Sequence, residues 1–301
     1  MLSFFRDVRK KAKWARRAKK AELRREKMAS FGPYAMGLLV QAKHGIFAVD
    51  PEDDSVSKKL LRTGNYNETE LDLVRSLIPP NSDVLMIGTH IGALTVPLSK
   101  YCKKLVAIEA NPNTFKYLNA NLMLNGCSNV KSYNFAAGEI SGKIPFILSR
   151  DNSGGSKRMP KVLDLAYVYD KPEIVEVDVE PLDKALVTEK FDLIFMDIEG
   201  SEYFAFKGMQ NILSESKYLI VEFAPHHLRN VAGVTVDKFL QELSPHFEWM
   251  YIPKRNSLVS KQEISKVVTA MYSADESHDG LVFLKSPLSK AMEACDREGA
   301  N

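Results

Sequence analysis

A chain of 301 residues is long enough to bury a full hydrophobic core, as one large domain or two small ones. Its 45% apolar and 26% charged residues are those of an ordinary soluble globular protein, which excludes a fibrous or low-complexity chain. No apolar run approaches the roughly 18 residues that span a bilayer, and the opening MLSFF meets charge at once instead of a secretory apolar stretch. Cys102, Cys127 and Cys295 are widely spaced and form no CxxC pair, so neither a disulfide framework nor a zinc knuckle is expected. A reducing, cytoplasmic setting follows from that reading.

The net charge of +3 hides an asymmetry: residues 1–27 carry 12 Lys/Arg against 3 acids, so the remaining body is acidic. Residues 1–28 contain no Gly or Pro and read as one helix, with Phe4, Val8, Ala12 and Ala15 on one face. Arg9, Lys13, Arg16, Arg17, Lys20 and Arg24 occupy the other face, and SFGPY at 30–34 ends the pattern. Three readings stand for this arm: an anionic membrane surface such as the inner one, nucleic-acid phosphates, or a solvated or self-associating helix. Trp14 with the paired Phe4 and Phe5 favours membrane over nucleic acid. The apolar face is mostly alanine and is weak as a surface for docking on a core.

From about residue 44 strands alternate with helices. GIFAVD is a short strand, 67–78 an amphipathic helix, and VLMIG at 84–88 a strand apolar on both faces. A helix (92–101), a strand (105–109), a helix (112–125) and a strand (130–137) follow. KIPFIL (143–148) and EIVEVDVE (173–180) flank the polar loop DNSGGSKRMP (151–160), which is either a basic lid over the site or a plain hairpin loop. FDLIFMD (191–197), a helix through Leu213, YLIVEF (218–223) and a helix over 235–243 come next. FEWMYI (247–252) and GLVFLK (280–285) close the chain as an antiparallel pair. Such alternation predicts an α/β fold with a doubly wound, mostly parallel sheet and ligands at the strands' carboxyl ends. The predicted organisation is a basic arm over 1–30, one catalytic domain over 31–288 and a tail over 289–301.

Two constellations carry chemistry. In the first, a buried strand ends in Gly88-Thr89-His90-Ile91-Gly92, a helix begins, and the next strand ends in Glu109. Glycines let the backbone approach a ligand, the helix N-terminus offers free N–H groups to an anion, and an acid at that distance suits paired ribose hydroxyls. A nicotinamide cofactor would want glycines at 90 and 93, where this chain has His90 and Ala93. The G-x-x-x-G spacing fits an amino-acid carboxylate better than a pyrophosphate and points to S-adenosylmethionine. The second is Asp197-Ile198-Glu199-Gly200-Ser201-Glu202, after the strand where the sheet order should reverse. Asp197 there can face a sulfonium or a substrate, although acids at this place also favour a helix N-terminus.

With its loop IGTHIGALT, the strand end AIEANP, NFAAGEISG, DIEGSEYFAFKGM and YLIVEF, the chain resembles the FkbM family of S-adenosylmethionine-dependent methyltransferases over roughly residues 44–285. The resemblance implies a seven-stranded, Rossmann-like sheet and O-methylation of a hydroxyl on a sugar, glycan or related small metabolite. It implies that Gly88, Thr89, His90 and Gly92 line the methionine end of the cofactor, that Glu109 holds the ribose, and that Asn111 and Ala136 edge the adenine. Asp197 would stand beside the transferring methyl. Two departures from the family pattern are Met86, where an Asp is usual, and His90 for the usual Asn. Losing the acid at 86 is expected to weaken the cofactor site by about 1.5–3 kcal/mol.

A hydroxyl acceptor needs a proton sink, and His226 or His227, just past YLIVEF, is the candidate base. Asp197, Glu199 and Glu222 form an alternative set of oxygen ligands for a divalent metal. Methylation of RNA or protein is a competing reading, against which the second constellation lacks the N/D-PP-Y/F form used on amide and exocyclic nitrogens. A non-catalytic binding module that retains the fold is the third, against which Glu109 and Asp197 are both present.

Overall fold

The computed structural model describes residues 2–287, with side chains from residue 11 onward. Cys295, the 289–301 tail and the side chains of Phe4, Phe5, Val8 and Arg9 lie outside the described residues.

The central sheet grows from short segments that are apolar on both faces. Strands β3 (Asp83–Ile87), β4 (Lys104–Ile108), β5 (Val130–Tyr133), β10 (Leu193–Met196) and β11 (Tyr218–Phe223) run parallel in the order β5-β4-β3-β10-β11. Alternation sends Leu85 and Ile87 into the core on one face and Val84 and Met86 into the core on the other. β3 is flanked by β4 on one side and by β10 on the other, so the crevice opens at the carboxyl ends of β3 and β10.

Beyond β11 the sheet continues antiparallel through β14 (His278–Leu284), β12 (Trp249–Ile252) and β13 (Ser257–Ser260). β12 and β14 are the antiparallel closing pair that the sequence predicts. β13 and the helix Lys261–Ser273 were not foreseen; they make the sheet eight-stranded, with SLVS as a short edge that alternation alone does not single out.

A second, four-stranded sheet stands at the mouth of the crevice, formed by β6 (Ala136–Ala137), β9 (Glu173–Glu180), β7 (Gly142–Leu148) and β8 (Lys157–Arg158). The strand predicted over 130–137 is thereby divided between two sheets. The division falls at Asn134, whose Nδ2 donates to Glu109 O at 2.7 Å and Ala110 O at 3.3 Å and pulls the chain out of the main ladder. The helix predicted through Leu213 is likewise two, Glu202–Lys207 and Gln210–Glu215, parted at Gly208. A Cβ on Gly208 would lie 1.9 Å from Gly138 O, so the break is packed against the small sheet. A hairpin of β1 (Leu38–Ala42) and β2 (Gly45–Val49) completes the strands among the described residues.

The N-terminal helix, Leu2–Ala29, matches its predicted extent but docks more firmly than its alanines suggest. Ala21 is buried, and the Trp14 ring lies 4.7 Å from that of Tyr169. Arg24 donates to Glu52 O and to the carboxylates of Asp54 and Asp151. Polar and aromatic contacts do the docking that an apolar stripe was expected to lack. Among the described residues, no helix is long and apolar enough to cross a membrane.

Candidate active site

The turn after β3 is built around two left-handed glycines, Gly88 (φ +86°) and Gly92 (φ +84°). A Cβ on Gly88 would sit 1.8 Å from Asp197 O, so only glycine lets the ends of β3 and β10 close on each other. His90 is also left-handed (φ 52°), a conformation in which Asn, Asp and His are enriched among non-glycine residues. That shared tolerance accounts for histidine where asparagine is usual.

Glu109, buried at the tip of β4, holds this turn in place. One carboxylate oxygen accepts from His90 N (2.7 Å), the other from Asn111 N (2.8 Å) and Thr114 Oγ1 (3.0 Å). A carboxylate offers about four acceptor sites, so one remains, on Oε2, for a donor in the cleft. Gly88, His90, Glu109, Ala136 and Asp197 line one cleft together with Phe146, enclosing about 520 Å³ open to solvent. Ala136 and Phe146 come from the small sheet, whose wall the sequence did not foresee.

Three expected cofactor residues stand behind the wall. Thr89 is buried with Oγ1 toward Ile108 O (3.4 Å), and a Cβ on Gly92 would meet Leu118. Asn111 caps the helix Pro112–Leu124, accepting from Asn113 N and Thr114 N, and donates to Ser156 Oγ at 3.1 Å. Asn111 is therefore a cap and a loop anchor, not a residue of the cleft surface. Met86 also points away from the cleft, into the core beside Ala107 and Phe195, with Thr95 Oγ1 at 3.7 Å from its sulfur. An acid there would act from beneath the turn, so the affinity deficit inferred from sequence has no counterpart in a missing cleft-wall group.

The loop 151–160 covers the site. Ser153 Oγ meets His90 Nε2 at 2.7 Å, and Ser153 N donates to the buried Asp53 at 3.0 Å. Farther along, Lys157 reaches inward, 4% exposed, with Nζ 2.8 Å from Glu199 Oε2 and 3.2 Å from His227 Nε2, over the Tyr167 ring. Glu199 is aimed at it by a left-handed turn through Glu199 (φ 57°) and Gly200 (φ 97°). A Cβ on Gly200 would lie 2.9 Å from His227 Cβ, so this second glycine admits the histidine.

Lys157 faces an excess of acid. Burial raises Asp197 well above the ordinary carboxylate range, and Glu199, Glu202 and Glu70 add to the shift while Lys157 opposes it. Asp197 itself opens onto the cleft, where solvent screens part of the burial contribution, and the neighbouring carboxylates of Glu199, Glu202 and Glu70 act in the same raising direction. Burial, then Asp197 and Glu199, likewise raises Glu222. Glu202, raised to about 7 by burial, accepts from Ile198 N and Gly200 N and shapes the turn. Burial also works to raise Glu199, but Lys157 and His227 outweigh it and hold this carboxyl low.

His227 does not fit the role of base. Burial pushes its pKa down to about 3, with Lys157 in the same direction and Glu199 against. The network assigns Nε2 as the acceptor from Lys157, while Nδ1 stands 3.2 Å from Glu199 Oε2 and 3.9 Å from Glu222 Oε2. Its one free lone pair is already used. His226 keeps one side open to solvent and the other against His227, ring centroids 3.9 Å apart, and this partial burial, then Lys157, lowers its pKa. The expected metal set is corrected as well: Glu199, Glu222 and His227 bring ligand atoms within 4.8 Å of one another, and Asp197 is not among them. The Lys157 ammonium already lies on two of those three groups, which would set a fixed cation against a divalent ion.

Replacing Lys157 with methionine leaves Glu199 beside Asp197 and Glu222 without a counter-charge. The expected cost is about 3 kcal/mol, read by denaturant unfolding, and Glu199→Gln in the same chain should recover most of it. Equal stability of the Lys157→Met protein and the wild type would show that the pair contributes nothing.

The fold and the crevice at its strand reversal define a doubly wound α/β domain of the methyltransferase kind. By its sequence the chain belongs to the FkbM methyltransferase family, whose Methyltransferase FkbM domain matches residues 87–250, more than half of its length. No protein of curated function matches it. Among solved structures it is similar to a methyltransferase FkbM from Methylobacillus flagellatus KT, with 16% identity over 69% of this chain and 44% of that one, at a TM-score of 0.37. It thus spans less than half of that structure's length. It is also similar to a TehB-like SAM-dependent methyltransferase from Corynebacterium glutamicum ATCC 13032 (14% identity, 76% and 94% coverage, TM-score 0.42). A third is M. jannaschii TYW2 in complex with AdoMet (17% identity, 62% of each chain, TM-score 0.33).

Proposed function

We propose that this chain is an S-adenosylmethionine-dependent O-methyltransferase acting on a hydroxyl of a sugar, glycan or related small metabolite. The observation that carries the reading is Asp197: a carboxylate with a raised pKa, open to the cleft and locked against the Gly88 turn. When bound, S-adenosylmethionine supplies an electrophilic methyl group on sulfur. Gly88 and His90 would border its methionine end, the free acceptor position of Glu109 its ribose, and Ala136 with Phe146 its adenine. The apolar wall suits an aromatic base, and the residual lone pair on Glu109 suits one hydroxyl.

The protein's task in such a displacement is to position the acceptor and take its proton. Asp197, facing the cleft, would take the proton of the acceptor hydroxyl as the hydroxyl oxygen accepts the methyl group. A raised pKa makes that carboxylate a stronger base than a solvated one. Lys157 is a positioning residue: it holds Glu199 ionised and His227 neutral, and so fixes the charge that Asp197 feels.

Calorimetric titration with S-adenosylhomocysteine, beside NAD as a control, tests the cofactor class. Micromolar binding of the first alone is expected. Binding of neither would overturn the reading and leave a binding module on a methyltransferase fold, and binding of NAD alone would overturn the cofactor class.

A further inference from the structure

The contacts of the N-terminal helix fix which of its faces looks outward. Trp14, Ala21, Arg24 and Arg25 are turned to the body. The opposite face carries Arg16, Lys19, Lys20 and Lys27, all exposed, around an exposed Leu23. The chain then turns through Gly32 (φ +97°) and presents Phe31, Tyr34, Met36 and Leu39 to solvent, between 65% and 94% exposed. Four large apolar side chains within nine residues, directly after a helix with a cationic outer face, are costly to leave in water. The phosphates of a duplex would use the cations but leave these four apolar side chains in water. An anionic bilayer uses both, with charge at the headgroups and aromatic rings at the boundary with the acyl chains.

We propose that the outer face of the N-terminal helix and the segment 31–39 dock this protein on an anionic lipid surface. The docking stands independently of the methyltransferase reading. A groove of about 2240 Å³, counted with the solvent in its mouth, runs from Met36 and Leu39 to Ser153, the residue that reaches His90 over the cofactor cleft. If the methyltransferase reading holds, an acceptor carried on a lipid anchor would enter by this groove.

Sedimentation of the full chain with vesicles tests the surface. Binding is expected to vesicles of phosphatidylcholine mixed with phosphatidylglycerol, to fall as salt rises, and to be absent with phosphatidylcholine alone. Reversing three charges together (Arg16→Glu, Lys19→Glu, Lys20→Glu) should weaken it by about a hundredfold or more. The pair Phe31→Ser and Tyr34→Ser, which leaves the charge unchanged, should weaken it about tenfold. All five side chains are exposed, so melting curves should not move. No binding to anionic vesicles at low salt overturns the proposal, as does equal binding to neutral ones. Unchanged binding by the serine pair, with duplex DNA retained through the same cations, would assign the surface to nucleic acid instead.

Discussion

Replacing Gly88 with alanine is expected to abolish S-adenosylhomocysteine binding and to destabilise the protein by about 3 kcal/mol or more. Two penalties combine at this position. The backbone is at φ +86°, where a Cβ is strained, and that Cβ would lie 1.8 Å from Asp197 O. Neither neighbour can yield cheaply. Gly88 N donates to Ile108 O at 2.9 Å on one side, and Asp197 N donates to Ile87 O at 3.0 Å on the other. A shift large enough to admit the methyl group would part β3 from β10 at the point where the cleft opens. Thermal unfolding and calorimetry read the two effects separately. A Gly88→Ala protein that melts and binds like the wild type would show that the strand ends are not held as described.

The second large effect is expected at Asp197. Asparagine fills the same space and cannot take a proton, so methyl transfer should fall by about 10²–10⁴-fold, with S-adenosylhomocysteine still bound. The pH profile sharpens the test. A base must be ionised to act, and burial with the charges of Glu199, Glu202 and Glu70 raises this one well above 3.8. The wild-type rate should therefore be low in the range where an ordinary aspartate is already ionised. It should climb as pH rises through the raised pKa, and the Asp197→Asn protein should lack that limb. The rate is measured with whichever hydroxylated acceptor a substrate screen of the wild type identifies. A variant within threefold of wild type, with its pH limb intact, would move the proton to His226, and His226→Ala would then carry the loss.

Much of this molecule is legible one residue at a time. Short apolar runs such as VLMIG and YLIVEF become parallel strands because a sequence apolar on both faces has no other economical burial. Gly88 and Glu109 at two successive strand ends mark the turn that lines the cleft because backbone freedom and a strand-tip acid are local properties. The family and the extent of the N-terminal helix follow from the sequence in the same way.

What the tertiary structure alone decided concerns groups distant in the chain. Lys157 is one of 41 basic residues in the sequence, and nothing nearby marks it as the cation buried against Glu199 and His227. Its position comes from the small sheet, which lays the 151–160 loop over the crevice. His227 looks like a base in sequence because its ordinary pKa suits the task, and burial beside an ammonium removes that fitness. Asn111 looks like a ligand residue because it follows a strand tip, whereas the helix beginning there claims its side-chain oxygen. Local conformation follows local sequence, but the charge and solvation of a side chain are set by whatever the fold brings against it.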